Sequence, residues 1–230
     1  MNERLRLVLA SGLLLLGRGL ACGGQAAADK VVIEDFESSR EGAFPASWAL
    51  KKDFWTGSSK AARAISVKAE KGGKYLSVDS RGDSFTAGKN FAYDLSDYRF
   101  LSWRWRVLAL PVNGSEAKKK TNDSAAAVYV CFKGLTPLSY CLKYVWSSTV
   151  PAGTVLPSPH RAATKIVVLR SGPAGLGAWT AEKRNVYEDY LRVFGKKAVK
   201  NPVGIAVLTD SDDTRSRAAA DYDDFAVSRR

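Results

Sequence analysis

The sequence has one histidine in 230 residues, His160, and three cysteines. A single imidazole excludes metal centres built from several histidines and leaves one base for any Ser-His-Asp arrangement. His160 follows Pro157-Ser158-Pro159, and no serine lies in a nucleophile-elbow pattern. Past the N-terminus no apolar run reaches about 18 residues, so no second membrane span is expected. There is no internal repeat, no low-complexity linker and no strand–helix alternation, which disfavours a parallel sheet. Gly172-Pro173-Ala174-Gly175-Leu176-Gly177 has the wrong spacing for a phosphate loop, and Pro173 removes an N–H donor. No acidic loop has EF-hand spacing.

What remains is enough for a packed core. Hydrophobic residues make up 46% and charged residues 25%, and the length suits one domain over residues 29–230. Lys and Arg number 35 against 23 Asp and Glu, a net charge of +12. Residues 1–28 hold three arginines and Glu3, so 32 − 22 = +10 remains beyond them. The only dense basic run is Lys118-Lys119-Lys120. A spread basic charge favours anionic partners without selecting among them.

Residues 1–28 read as an export signal. Arg4 and Arg6 precede an apolar stretch from Leu7 to Leu16. Two processing sites compete: cleavage after Ala26-Ala27-Ala28, or lipidation of Cys22 in Gly19-Leu20-Ala21-Cys22. Either places the chain outside the cytoplasm, periplasmic or secreted, and any membrane attachment runs through a lipid on Cys22.

The rest reads as β-structure. Leu101-Ser102-Trp103-Arg104-Trp105-Arg106-Val107 alternates cleanly, with Trp103 and Trp105 on the core side and Arg104 and Arg106 opposite. Other strands are expected at Val31–Ile33, Tyr75–Val78, Val128–Phe132, Tyr140–Trp146, Lys165–Arg170, Val203–Thr209 and Asp224–Val227. If Val128–Phe132 and Tyr140–Trp146 pair with Cys131 opposite Cys141, their apolar residues share one face and the two cysteines share the other. Two readings then stand open: a cross-strand disulfide, or two free thiols packed between sheets. One helix is expected after Asn185, with Val186, Tyr190 and Val193 on one face and Gly195 closing it. Residues 112–124 read as an exposed polar loop.

Acidic groups are the first functional candidates. Asp35 and Glu37 lie in the first strand region, Asp223 and Asp224 in the last. First and last strands of a sandwich are often neighbours, so these four are candidate ligands for a structural Ca²⁺. Thr209–Thr214 is a dense acidic turn able to bind a cation or orient a sugar hydroxyl. Arg104 and Arg106, with Asp123 and Glu182 as partners, form a candidate recognition face. Glu182 and Arg184 either pair to fix the helix start or touch a ligand.

The ordered set Ile33–Glu37, Leu101–Val107, Asn122–Ala126, Tyr144–Ser148, Trp179–Val186, Asp189-Tyr190, Phe194-Gly195, Thr209–Thr214 and Ala220–Asp224 resembles a bacterial exported family. It is the domain-of-unknown-function family numbered three thousand and forty-seven. The likeness implies an antiparallel jelly-roll β-sandwich similar to carbohydrate-binding and galactose-binding-like domains, and no established activity.

The function expected is non-catalytic binding of a saccharide or other envelope polymer, through Arg104, Arg106, Asp123, Glu182, Arg184 and Asp210. The rival readings are a glycan hydrolase or lyase using paired carboxylates, and a structural or protein-interaction component of the envelope. Nucleic acid is not an expected partner: the export signal removes the chain from it, and no stacking-and-basic motif is complete.

Overall fold

The computed structural model describes residues 28–50, 63–133, 140–195 and 199–230. Residues 1–27, where the export signal and the Cys22 processing site are expected, lie outside the described residues. Among the described residues the strands run in this order: β1 (Lys30–Glu34), β2 (Ala49–Leu50), β3 (Ile65–Glu70), β4 (Gly73–Arg81), β5 (Ser84–Asn90), β6 (Phe100–Ala109), β7 (Ala126–Phe132), β8 (Tyr140–Ser147), β9 (Val155–Pro157), β10 (Thr164–Ser171), β11 (Thr180–Asn185), β12 (Pro202–Asp210) and β13 (Arg217–Ser228). Helix α1 (Val186–Phe194) lies between β11 and β12.

The strands form two layers. One sheet runs β11-β6-β13-β4-β3, with β1 also on β13; the other runs β2-β5-β12-β7-β8-β10-β9. Every pairing is antiparallel except β8 with β10. This is the expected jelly-roll sandwich, with one parallel contact that strand patterning did not show.

Alternation builds the core. On β6, Leu101, Trp103, Trp105 and Val107 are buried, while Ser102, Arg104 and Arg106 keep partial exposure. From the opposite sheet Val128, Val130, Phe132, Leu142, Tyr144 and Trp146 face them. Trp103 packs on Tyr144 with ring centroids 5.5 Å apart, and Trp105 on Trp146 at 6.2 Å, both geometries favoured by aromatic quadrupoles.

The β7–β8 hairpin has the expected register: Val130 opposite Leu142, Val128 opposite Tyr144, Cys131 opposite Cys141. Of the two readings for the cysteines the structure holds the disulfide, with Cα atoms 4.2 Å apart. Helix α1 begins where Asn185 Oδ1 accepts a hydrogen bond from Glu188 N, and ends at Gly195 with φ 81°.

Several elements differ from expectation. The stretches Ile65–Glu70, Ser84–Asn90 and Thr180–Asn185 are strands that were not among those expected, and the last two are polar. Residues 112–124 are not simply exposed: Glu116, Asp123 and Ser124 are fully buried. This segment folds over β8, which explains why Lys143 and Ser147 on the outward face of β8 are buried as well.

Candidate functional site

The outer face of the seven-stranded sheet is covered over half its width. Ala127, Val145, Val150, Ile166, Val168 and Leu208 form a small second apolar cluster there. The uncovered half, over β5, β12 and β7, is an open groove of about 660 Å³. Parity decides what lines it. On β12, Ile205 and Val207 point into the core, so Gly204, Ala206, Leu208 and Asp210 point to the groove. On β5, Phe85 and Ala87 point inward and Ser84, Thr86, Gly88 and Asn90 outward. Tyr129, Lys143 and the disulfide complete the wall. Small residues keep the floor flat. At Gly204 this is obligatory, since a Cβ would come within 2.6 Å of the Lys89 carbonyl oxygen.

One end of the groove is acidic. Asp123 is fully buried, and its two oxygens accept hydrogen bonds from Asp213 N at 3.2 Å and Thr214 N at 2.7 Å. This clamps the segment before β7 to the turn after β12. Asp213 Oδ2 accepts in turn from Asn122 N at 3.1 Å and lies 3.6 Å from His160 Nε2. Burial pushes the Asp210 carboxyl up to about 8, and the neighbouring Asp212 carboxyl adds to the rise. Burial likewise raises Asp123, against the N–H groups it accepts from.

Lys143 lies beneath this end. Burial would lower its ammonium, but Tyr129, Glu116 and Asp210 together hold it above the ordinary value. Its Nζ donates to Ser124 Oγ at 3.0 Å, and that hydroxyl donates to Glu116 Oε1 at 2.8 Å. The buried ammonium thus reaches Glu116 through one hydroxyl, with Asp210 on its groove side.

The six expected ligand residues do not share one wall. Arg104 and Arg106 lie on the outer face of the other sheet. There they stand directly across from Asp223 and Asp221 of β13, which pair with them in register. Glu70 also bonds Arg106, and Trp179 stacks between the two guanidiniums, 4.6 Å from each. Asp123 and Glu182 are therefore not their partners. Glu182 and Arg184 sit opposite Trp103 and Leu101 and so share the core-facing side of β11. Glu182 accepts from Trp105 Nε1 and Arg170, and Arg184 bonds Asp189, so the two do not form the expected pair with each other, and each is held by a different structural partner. Only Asp210 lines the groove, with Asp123 fully buried behind its acidic end. Residues on different sheets cannot converge whatever their sequence spacing.

The four expected calcium ligands do not gather either. β1 and β13 are neighbours as anticipated. However, Asp223 bonds Arg104, and a bulge turns Asp224 toward solvent, 3.0 Å from the same guanidinium. Asp35 accepts from Glu37 N, and Glu37 accepts from Lys74 N. Among the described residues, the one set of three carboxylates with oxygens within 4.8 Å of one another is Asp123, Asp212 and Asp213.

Sequence reading missed Tyr129, Lys143, Ser84 and Thr86. The signal for Lys143 was present: it is the charged residue in Tyr140–Trp146 that shares the Cys141 face. Ser84 and Thr86 gave none, because polar β5 had no strand signature.

A family model for a protein of unknown function, DUF3047, matches residues 48–226. The chain belongs to DUF3047. No curated protein matches this DUF3047 member. Solved structures similar to it include the xyloglucanase domain of NopAA, a type three effector from Sinorhizobium fredii, in complex with cellobiose. The two are 12% identical, with 87% of this chain and 98% of that one covered, at a TM-score of 0.45. Caldicellulosiruptor saccharolyticus CBM27-1 with mannohexaose is 14% identical over 89% and 99%, at 0.42. Trichoderma harzianum endoglucanase 3 from family GH12 is 11% identical over 90% and 99%, at 0.41. At such identities the site of this DUF3047 chain is read from its own geometry.

Proposed function

We propose that this protein is an exported saccharide-binding sandwich and that the groove over β5, β12 and β7 is its binding surface. The groove itself carries the reading. Its volume of about 660 Å³ falls within the range of ligand sites, and it is open along the sheet, so a chain can lie in it without threading. Its floor of Gly88, Gly204 and Ala206 lets a sugar ring approach the backbone closely. Hydroxyl, amide and carboxylate groups from Ser84, Thr86, Asn90 and Asp210 offer the alternating donors and acceptors that sugar hydroxyls need. The disulfide supports an oxidising, extracytoplasmic location. An envelope polymer is the partner this location favours.

Calorimetry of the protein with soluble neutral and acidic polysaccharides tests the reading. At least one class binds, and Ala206→Tyr, which fills the floor, weakens it at least about tenfold with thermal stability kept. Arg104→Gln, on the other sheet, leaves binding unchanged. Flat titrations across all glycans, or binding that Ala206→Tyr does not touch, remove the groove from consideration.

A second reading rests on Asp210. Its carboxyl, pushed up to about 8 beside Asp212, is a proton donor near neutral pH inside the groove, as hydrolysis by two carboxylates requires. Release of reducing ends from a bound glycan, abolished by Asp210→Asn, would assign this activity.

A further inference from the structure

The acidic end of the groove gathers side-chain oxygens of four aspartates and one asparagine. Asp123, Asp212 and Asp213 each present an oxygen within 4.8 Å of the others. Two further oxygens there have no hydrogen-bond partner. One is Asp210 Oδ1, on a residue only 8% exposed whose carboxyl meets that of Asp212. The other is Asn122 Oδ1, buried beside Asp213. A buried carboxylate oxygen without a partner is costly in a folded protein and calls for an explanation. Lys143 acts on Asp210 through its charge, while its Nζ donates to Ser124 Oγ. His160 Nε2 lies 3.1 Å from the Lys119 carbonyl oxygen and 3.6 Å from Asp213.

We infer that Asp123, Asp212 and Asp213, flanked by the unpartnered oxygens of Asp210 and Asn122, hold a divalent cation of the Ca²⁺ type. The donor set selects the ion. All five groups are hard oxygens, no thiolate is present, and His160 is the only imidazole in the chain. Ca²⁺ takes six to eight oxygens in flexible geometry, so three carboxylates leave positions for a flanking oxygen, water or a ligand hydroxyl. The ligands come from the segment before β7 and the turn after β12, which Asp123 already ties together through two N–H groups. A cation there would lock both segments at the groove's end. The inference is independent of any saccharide, and its test needs none.

The chelator-treated full chain is titrated with CaCl₂ by thermal unfolding and by calorimetry, and with TbCl₃ by luminescence. Calcium is expected to raise the midpoint by about 3 °C at saturation, with a dissociation constant at or below about 1 mM. Asp212→Asn/Asp213→Asn, at two exposed positions, keeps the fold and loses the shift, the heat and the terbium signal. Asp35→Asn/Glu37→Gln, away from the groove, keeps all three. No shift and no heat up to about 10 mM, roughly ten times the weakest constant for such modules, overturns the inference. So does a response that the Asp212/Asp213 variant retains.

Discussion

Glu34 shows how one buried charge is made tolerable. It is 6% exposed, and its two oxygens accept from Phe36 N, Ser47 Oγ, Trp48 Nε1 and Lys89 Nζ at 2.7–3.0 Å. Burial would raise its carboxyl, but Lys89, Trp48 and the other donors outweigh that and hold it below the ordinary 4.5. The stability it lends is therefore present above about pH 4.5 and lost as pH falls through its folded-state value. Glu34→Gln should cost about 1–3 kcal/mol at pH 7, because an amide cannot accept from four donors. The gap between variant and wild type, measured by urea unfolding, should narrow as pH falls below about 4.5. A constant gap would contradict this account. The arginines teach the complementary point. Alternation along Leu101–Val107 correctly separated Trp103 and Trp105 from Arg104 and Arg106. It contained nothing about which strand would supply the carboxylates, and β13 lies more than 100 positions later in the chain.

At the scale of elements, the β7–β8 hairpin was the most legible piece. Its facing positions follow from a period of two and one choice of register, both local properties. The disulfide closes a separation of 10 residues, for which chain entropy predicts about 2.5–3 kcal/mol. Cys131→Ala/Cys141→Ala should accordingly lower the thermal midpoint by about 5–10 °C, read by calorimetry, with the register of the hairpin kept. A loss near zero would mean that the rest of the sheet already restrains the hairpin. Helix α1 was legible for a similar reason, because Asn185 and Gly195 mark its ends within the local sequence. Strands β5 and β11 were not. Their sequences, SFTAGKN and TAEKRN, are polar, and β11 runs along the edge of its sheet. Such strands are specified by the neighbours that pair with them rather than by their own pattern.

For the molecule as a whole, the two sheets meet through stacked aromatics. Trp105 is fully buried against Trp103, Trp146 and the side chain of Glu182. Trp105→Ala should cost about 3–5 kcal/mol in chemical unfolding, whereas Trp105→Phe should cost less by keeping ring contacts. Equal losses would indicate that the indole N–H bond to Glu182, rather than ring packing, dominates. The two outer faces have separate roles in this picture. One is crossed by ion pairs and cation–π stacks around Arg104, Arg106 and Trp179. The other opens into the groove. By itself the sequence determined a β-rich chain, the inward side of each strongly alternating strand, the facing of Cys131 and Cys141, and the ends of the helix. These depend on neighbours within a few residues. Only the tertiary structure decided which sheet each strand joined. It sent Arg104 and Arg106 to one face, and brought Asp123 and Asp210 together across 87 positions of chain on the other. Contacts of that length arise from sheet order and from segments folded over a sheet, which no local period encodes.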